Sequence, residues 1–143
     1  MKRLALVGVG SPFGDDILGW QLLDALAARE LAIPGWDITF SKADRPGPGL
    51  LERIRDQDAA VIIDAMQGGE KPGTLRLVGL SELECREKPL SAHAMGVAEA
   101  LALGRKLQLL PEQLHILAIE IGAGLPGHVI DRAIAVIEGL LEP

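Results

Sequence analysis

Two hydrophobic periodicities alternate along this chain. Short segments that are apolar throughout or at every second position are typical of strands. We predict strands at residues 2–9, 36–40, 59–65, 74–78 and 114–121. Apolar residues at intervals of three or four indicate helices. We predict helices at roughly residues 16–31, 50–57, 91–107 and 126–141. Between them, residues rich in glycine, proline or charge predict loops, the longer ones being residues 42–49, 67–73 and 81–89.

The connections between the predicted strands indicate their directions. The third and fourth strands are joined only by residues 67–73, and a connection this short cannot cross over between parallel strands. The fourth strand should therefore run antiparallel, at an edge of the sheet. The other strands alternate with helices, which is typical of a three-layer α/β fold with a mostly parallel sheet. We expect a doubly wound, five-stranded sheet in a single domain spanning residues 1–143.

Composition and charge narrow the range of partners. Apolar residues make up 48% of the chain, aromatic residues only 3%, and the net charge is −6. Without a basic cluster or an aromatic stacking set, nucleic acid is not an expected partner. No apolar run approaches the length that spans a bilayer, and residues 1–3 lead into the first strand without a cleavable signal pattern. The one cysteine, Cys85, permits no internal disulfide and fits a reducing cytoplasm.

The segment from Gly8 to Gly19 is predicted to form a strand end, a glycine-rich loop and the start of a helix. A dinucleotide-binding fingerprint would place its third glycine at position 13, where this chain has Phe13. Two adjacent acids, Asp15 and Asp16, stand at the start of the helix, where they would repel a phosphate and attract a cation. The alternative for each acid is that it only complements the positive end of the helix dipole. We interpret the loop as a site for a metal or a positively charged group.

Three polar residues that are distant in sequence are predicted to meet at one edge of the sheet. Asp16 follows the first strand, Asp64 ends the third, and His93 opens the helix that leads into the last strand. Open α/β sheets bind ligands at the carboxyl ends of their strands, where all three residues should lie. Two carboxylates and an imidazole suit a divalent transition ion such as Ni²⁺ or Zn²⁺. Alternatively, Asp64 caps the following turn and His93 faces solvent.

Other candidates for chemistry have weaker support. Asp44 should reach the same edge, but a solvated loop acid is the simpler interpretation. Cys85 lies in a polar connection without a supporting motif. His115 and His128 are interpreted as structural or surface residues.

Four motifs along the whole chain carry a family resemblance. They are Gly8-Val9-Gly10 with Gly14-Asp15-Asp16 and Gly19; Asp64-Ala65 with Gly68 and Pro72-Gly73-Thr74; Ser91-Ala92-His93; and Ala118-Ile119-Glu120-Ile121-Gly122. With them the chain resembles the hydrogenase maturation proteases, endopeptidases that trim the C-terminal extension from the large subunit of nickel–iron hydrogenases. It differs in having Ser11 where the family usually has asparagine.

The resemblance implies a phosphorylase/hydrolase-like fold, and it implies that Asp16, Asp64 and His93 are both the metal-binding and the catalytic residues. Nickel would be supplied by the substrate, the hydrogenase large-subunit precursor, as its recognition mark, and zinc or cadmium could replace it in a crystal. The expected enzyme is a cytoplasmic monomer. Two alternatives are a nickel-binding assembly chaperone without enzymatic activity and a peptidyl-tRNA-hydrolase-like enzyme.

Overall fold

The strands form one mixed sheet. The computed structural model describes residues 1–11, 17–44, 48–85, 94–122 and 124–141. Within these residues the strands are β1 (Lys2–Gly10), β2 (Trp36–Asp44), β3 (Ala59–Met66), β4 (Leu75–Val78) and β5 (Gln113–Glu120). They lie in the order β2-β1-β3-β5-β4, with β4 antiparallel to β5 and every other pair parallel. The prediction of a mostly parallel sheet with one antiparallel edge strand is confirmed.

Helices cover both faces of the sheet and make it the middle of three layers. In the described residues they are α1 (Leu18–Ala28), α2 (Pro48–Ile54), α3 (Leu80–Cys85), α4 (Ala94–Lys106) and α5 (Gly127–Leu140). Helices α1 and α5 pack on one face, and α2 and α4 pack on the other. Among the described residues, no helix has both the length and the apolar character needed to cross a membrane.

The central strands are buried on both faces, as the continuous apolar runs predict. Every residue of β3 is buried. Its alternate residues enter two separate cores: Ile63 and Ala65 pack with α1 and α5, whereas Ile62 and Met66 pack with α2 and α4. Since side chains alternate along a strand, the Asp64 side chain belongs to the face that α2 and α4 cover.

Strand β2 and helix α2 have other bounds than predicted, and helix α3 was not predicted. Strand β2 continues to Asp44 because it pairs with β1 as far as Gly10, although Ser41 and Lys42 interrupt its apolar pattern. Helix α2 begins at Pro48, inside the predicted loop; proline is tolerated in a first helical turn because those N–H groups have no partner within the helix. Helix α3 occupies a segment predicted to be a polar connection.

Candidate functional site

The sheet divides into a fork at its carboxyl edge. Strands β1 and β3 pair from Leu4 and Ala59 up to Gly8 and Ile63. Beyond that point β1 continues beside β2 to its pair of Gly10 with Asp44, while β3 continues beside β5 to Met66 and Glu120. We call this opening between the ends of β1 and β3 the fork. It is the topological switch point of the sheet, the place where open α/β folds bind ligands.

Asp64 is the first residue of β3 beyond its ladder with β1, so it stands at the base of the fork. Its relative exposure is 7%. Among the described residues, Asp64 and Glu120 are the only charged residues that are buried. Burying a carboxylate costs free energy, so a buried acid at a ligand-binding edge is a candidate for function. The predicted position of Asp64 at this edge is confirmed.

Gly19 lets the start of helix α1 enter the fork. A Cβ atom at Gly19 would lie 2.4 Å from the Val9 carbonyl oxygen, 3.1 Å from the Ile63 carbonyl oxygen and 3.4 Å from the Asp64 Cα. A Cβ atom at Gly8 would in turn lie 2.9 Å from the Gly19 carbonyl oxygen. The backbones of β1, β3 and α1 therefore meet beside Asp64 in a contact that only glycine allows.

Asp15, Asp16 and His93 lie outside the described residues, so their meeting with Asp64 stays a prediction. The structure does place the two helices that follow them in sequence. Helix α1 begins two residues after Asp16 and touches the Asp64 backbone at Gly19. Helix α4 begins one residue after His93 and packs on the sheet face that carries the Asp64 side chain.

The direction of α4 agrees with the prediction that the helix leading into β5 begins at the carboxyl edge of the sheet. The helix ends at Lys106, and only six residues separate it from the start of β5 at Gln113. Its C-terminal end therefore lies near the amino edge of the sheet. Thirteen helical residues extend about 20 Å, so α4 begins toward the carboxyl edge.

Glu120 fixes the loop that follows β3. The backbone N–H of Gly68 donates to both carboxylate oxygens of Glu120 at 3.0 and 3.2 Å, and the N–H of Glu70 donates to Oε1 at 2.8 Å. The backbone of Glu120 also accepts from the Gly73 N–H and donates to the Thr74 carbonyl, both at 2.9 Å. The sequence analysis placed Glu120 in a motif but gave it no role. The sequence feature that could have singled out Glu120 is the one used for Asp64: an acidic residue at the end of a buried strand.

Two glycines of the loop after β3, Gly69 and the motif residue Gly73, adopt backbone conformations that favour glycine. Gly73 adopts a φ of +86° and Gly69 a φ of +80°, a region that residues with a side chain rarely occupy. The Arg132 guanidinium of α5 donates to the Gly73 carbonyl at 3.2 Å. The loop between β3 and β4 is thus anchored from β5 and from α5.

Trp20 connects helix α1 to the end of β2. Its indole Nε1 donates to the Ala43 carbonyl at 3.3 Å. The Lys42 ammonium lies 5.7 Å from the centre of the Trp20 ring and 2.9 Å from an Asp24 carboxylate oxygen. These contacts join the first turn of α1 to the end of β2, where Asp44 is exposed.

The two described histidines, His115 and His128, lie on β5 and α5. His115 pairs with Val61 near the start of β5, away from the carboxyl edge. Burial lowers the pKa of His115. His128 is exposed in the first turn of α5. No group of three histidine, cysteine or acidic side chains suited to a metal occurs within the described residues. The predicted ligand set includes Asp16 and His93, which are not among them.

Comparison with known proteins bears on this arrangement. A family model described as hydrogenase maturation protease matches residues 45–124, a segment that includes Asp64, the loop after β3 and Glu120. The chain is also 31% identical over 149 residues to the hydrogenase expression/formation protein HupD of Thiocapsa roseopersicina. That alignment covers 98% of this chain and 66% of HupD, so the chain spans about two thirds of its relative's length.

Solved structures share the fold. The hydrogenase maturating endopeptidase HybD of Escherichia coli superposes with a TM-score of 0.68 at 22% identity, covering 96% of this chain and 88% of HybD. The [NiFe] hydrogenase maturation protease HybD of Thermococcus kodakarensis gives a TM-score of 0.65 at 23% identity, covering 96% and 98%. The sheet with its fork, the motifs and the family-model match lead to one conclusion: the chain belongs to the hydrogenase maturation protease family.

Proposed function

We propose that this protein is an endopeptidase that removes the C-terminal extension of a nickel–iron hydrogenase large-subunit precursor after nickel insertion. Membership of the maturation protease family supports the reaction class. HupD, a relative of this chain, is named for hydrogenase expression and formation. The observation that carries the proposal is the buried Asp64 carboxylate at the base of the fork, where this fold class binds ligands. In this proposal the enzyme works as a monomer in the cytoplasm.

The substrate's nickel is the proposed recognition mark. Asp64, Asp16 and His93 would bind the nickel ion that the precursor already carries, because carboxylate oxygens and an imidazole nitrogen are suitable donors for divalent transition ions. Three protein ligands leave coordination positions for groups of the precursor. Zinc or cadmium has compatible donor preferences and could occupy the same ligands in a crystal.

Two roles are open for the carboxylates during cleavage. Asp16 or Asp64 could accept a proton from the water that attacks the peptide bond. Alternatively, the metal could polarise the scissile carbonyl while the carboxylates only hold it. In either case a precursor without nickel would lack the group that brings its peptide to the fork.

The test uses purified precursor with and without nickel, and this protein after treatment with a chelator. Intact-mass measurement reports the length of the precursor. We expect the nickel-loaded precursor to lose its C-terminal extension and the nickel-free precursor to keep it. Processing of both forms at the same rate would overturn nickel recognition. Binding of the loaded precursor without any change in its length would favour the assembly chaperone.

Two matched variants test whether processing depends on Asp64. Asp64→Asn should abolish processing while the variant stays folded, because the amide cannot replace the carboxylate as ligand or base. Asp37→Asn makes the same chemical change at an exposed position near the start of β2, at the opposite edge of the sheet. It should process the precursor at the wild-type rate. Equal rates for both variants would remove Asp64 from the reaction.

A further inference from the structure

Glu120 is the most deeply buried charged residue among those described, with a relative exposure of 3%. It ends β5 as Asp64 approaches the end of β3, and its register partner is Met66, two residues after Asp64. By strand alternation the Asp64 and Glu120 side chains belong to the same face of the sheet. A second buried acid therefore stands diagonally across from Asp64, on the neighbouring strand.

Both carboxylate oxygens of Glu120 are committed to the loop between β3 and β4. Oε1 accepts from Glu70 at 2.8 Å and from Gly68 at 3.0 Å, and Oε2 accepts from Gly68 at 3.2 Å. Hydrogen bonds from backbone N–H groups to a carboxylate are charge-assisted and stronger than neutral ones. A carboxylate held in this way orders the loop and is not placed to act as a further ligand or base.

The main chain of Glu120 holds the other end of the same loop. Its carbonyl accepts from the Gly73 N–H, and its N–H donates to the Thr74 carbonyl. Through its side chain and its backbone, one residue thus contacts both ends of the connection from β3 to β4. Movement of the loop on the β3 side would be transmitted to Met66 and to the strand end that carries Asp64.

We propose that Glu120 is a positioning residue for the reaction at Asp64. Its carboxylate holds loop residues 68–70 directly after β3 and so keeps the end of β3 that carries Asp64 in register. The inference rests on the proposed function, since it concerns the same site. It assigns Glu120 no contact with the substrate and no part in proton transfer.

Three variants separate the geometry of Glu120 from its charge. Glu120→Gln retains the shape and keeps an oxygen at the Oε1 position, where the two shorter hydrogen bonds are made. Glu120→Leu removes both acceptors and preserves burial. Glu120→Asp keeps the charge but withdraws the oxygens from the loop, and it serves in place of the leucine variant if that variant does not fold. Glu112→Gln, at an exposed acid just before β5, controls for net charge. Ile137→Val, at a fully buried position in α5, controls for loss of stability.

Two readouts are needed: amide hydrogen exchange at Gly68 and Glu70, and kcat and KM for nickel-loaded precursor. In Glu120→Leu and Glu120→Asp we expect exchange at both amides at least about tenfold faster. We also expect kcat to fall at least about tenfold with KM changed by less than about threefold, since small misplacement of a reacting group lowers the rate more than binding. Glu120→Gln should recover most of kcat. The Ile137→Val and Glu112→Gln variants should leave both readouts unchanged.

The outcomes distinguish this inference from the function on which it rests. If wild-type protein cuts no precursor, the proposed function fails, and the positioning role fails with it. If wild-type protein cuts the precursor and Glu120→Leu or Glu120→Asp retains wild-type kcat, the positioning role alone is overturned. It is also overturned if kcat falls while the Gly68 and Glu70 amides remain protected, or if Glu120→Gln is as slow as Glu120→Leu.

Discussion

Gly19 brings the first turn of α1 into contact with two strands at once. The atoms that its missing side chain would meet include the carbonyl oxygens of Val9 and Ile63, which are main-chain atoms of the sheet and cannot rotate away. Inserting a methyl group into such a space forces the backbone to shift, which typically costs about 1–3 kcal/mol. The close approach of α1 to β1 and β3 therefore depends on glycine at position 19.

We expect Gly19→Ala to lower the free energy of unfolding by about 1–3 kcal/mol, because the new methyl group separates α1 from β1 and β3. Gly139→Ala is the matched control: it is also a helical glycine, and its added Cβ would meet no atom within 4 Å. That change should raise stability by roughly 0.5–1 kcal/mol through helix propensity. Urea unfolding measures both, and equal effects of the two variants would contradict the close contact at Gly19.

His115 is the described residue whose titration is coupled to folding by burial. Its Nε2 is buried without a hydrogen-bond partner within the described part of the chain, and burial lowers its pKa below the ordinary value of 6.5. The unfolded chain consequently binds the proton at a higher pH than the folded protein does. Lowering the pH from about 6.5 toward the folded pKa therefore decreases the stability of the folded protein, whereas above about 6.5 the titration of His115 does not affect stability.

We therefore expect the stability of the wild-type protein to decrease on acidification from pH 7 to pH 5 more steeply than that of His115→Leu, which cannot bind the proton. Urea unfolding at several pH values measures the two slopes. A proton NMR titration of the His115 ring in the folded protein gives an independent check. A midpoint at or above 6.5 would contradict the proposed effect of burial.

At the scale of elements, the strands and the long helices could be predicted because their apolar periodicity reflects burial directly. Asp64 could be placed at the carboxyl edge for a second reason: the lengths of the connections indicate the directions of the strands. The extension of β2 to Asp44 could not be predicted, because it depends on pairing with β1 and on contacts such as the indole of Trp20 with the Ala43 carbonyl. These partners are distant in sequence and leave no local pattern.

Helix α3 and the contacts of Glu120 could not be predicted from local sequence patterns. Helix α3 has six residues, which is too short to show a helical periodicity. Its Leu80 and Leu83 pack against the core, a contact that the local sequence does not indicate. The bracing of the loop after β3 by Glu120 depends on N–H groups that no sequence pattern reveals. The predicted convergence of Asp16 and His93 with Asp64 stays a prediction, since both partners lie outside the described residues.

At the scale of the whole molecule, the proposed nickel site would link metal binding to folding. A ligand that binds only the folded protein stabilises it by an amount that grows with ligand concentration, reaching about 2.7 kcal/mol at one hundred times its Kd. If Asp64 belongs to a nickel site with Asp16 and His93, added Ni²⁺ should raise the unfolding temperature of the free protein. This expectation needs no hydrogenase precursor and is therefore independent of the processing assay.

We expect Ni²⁺ to raise the unfolding temperature of the wild-type protein in a concentration-dependent way. Mg²⁺ should have little effect, because it prefers an octahedron of oxygen ligands to a set that includes imidazole. Asp64→Asn and His93→Ala should each remove most of the nickel effect, whereas Asp37→Asn should retain it, since that acid is exposed near the start of β2. Thermal unfolding followed by circular dichroism measures the shift. A nickel effect that persists in Asp64→Asn would place the metal elsewhere on the protein, and the absence of any effect in the wild type at saturating nickel would mean that the three residues do not form a site without the precursor.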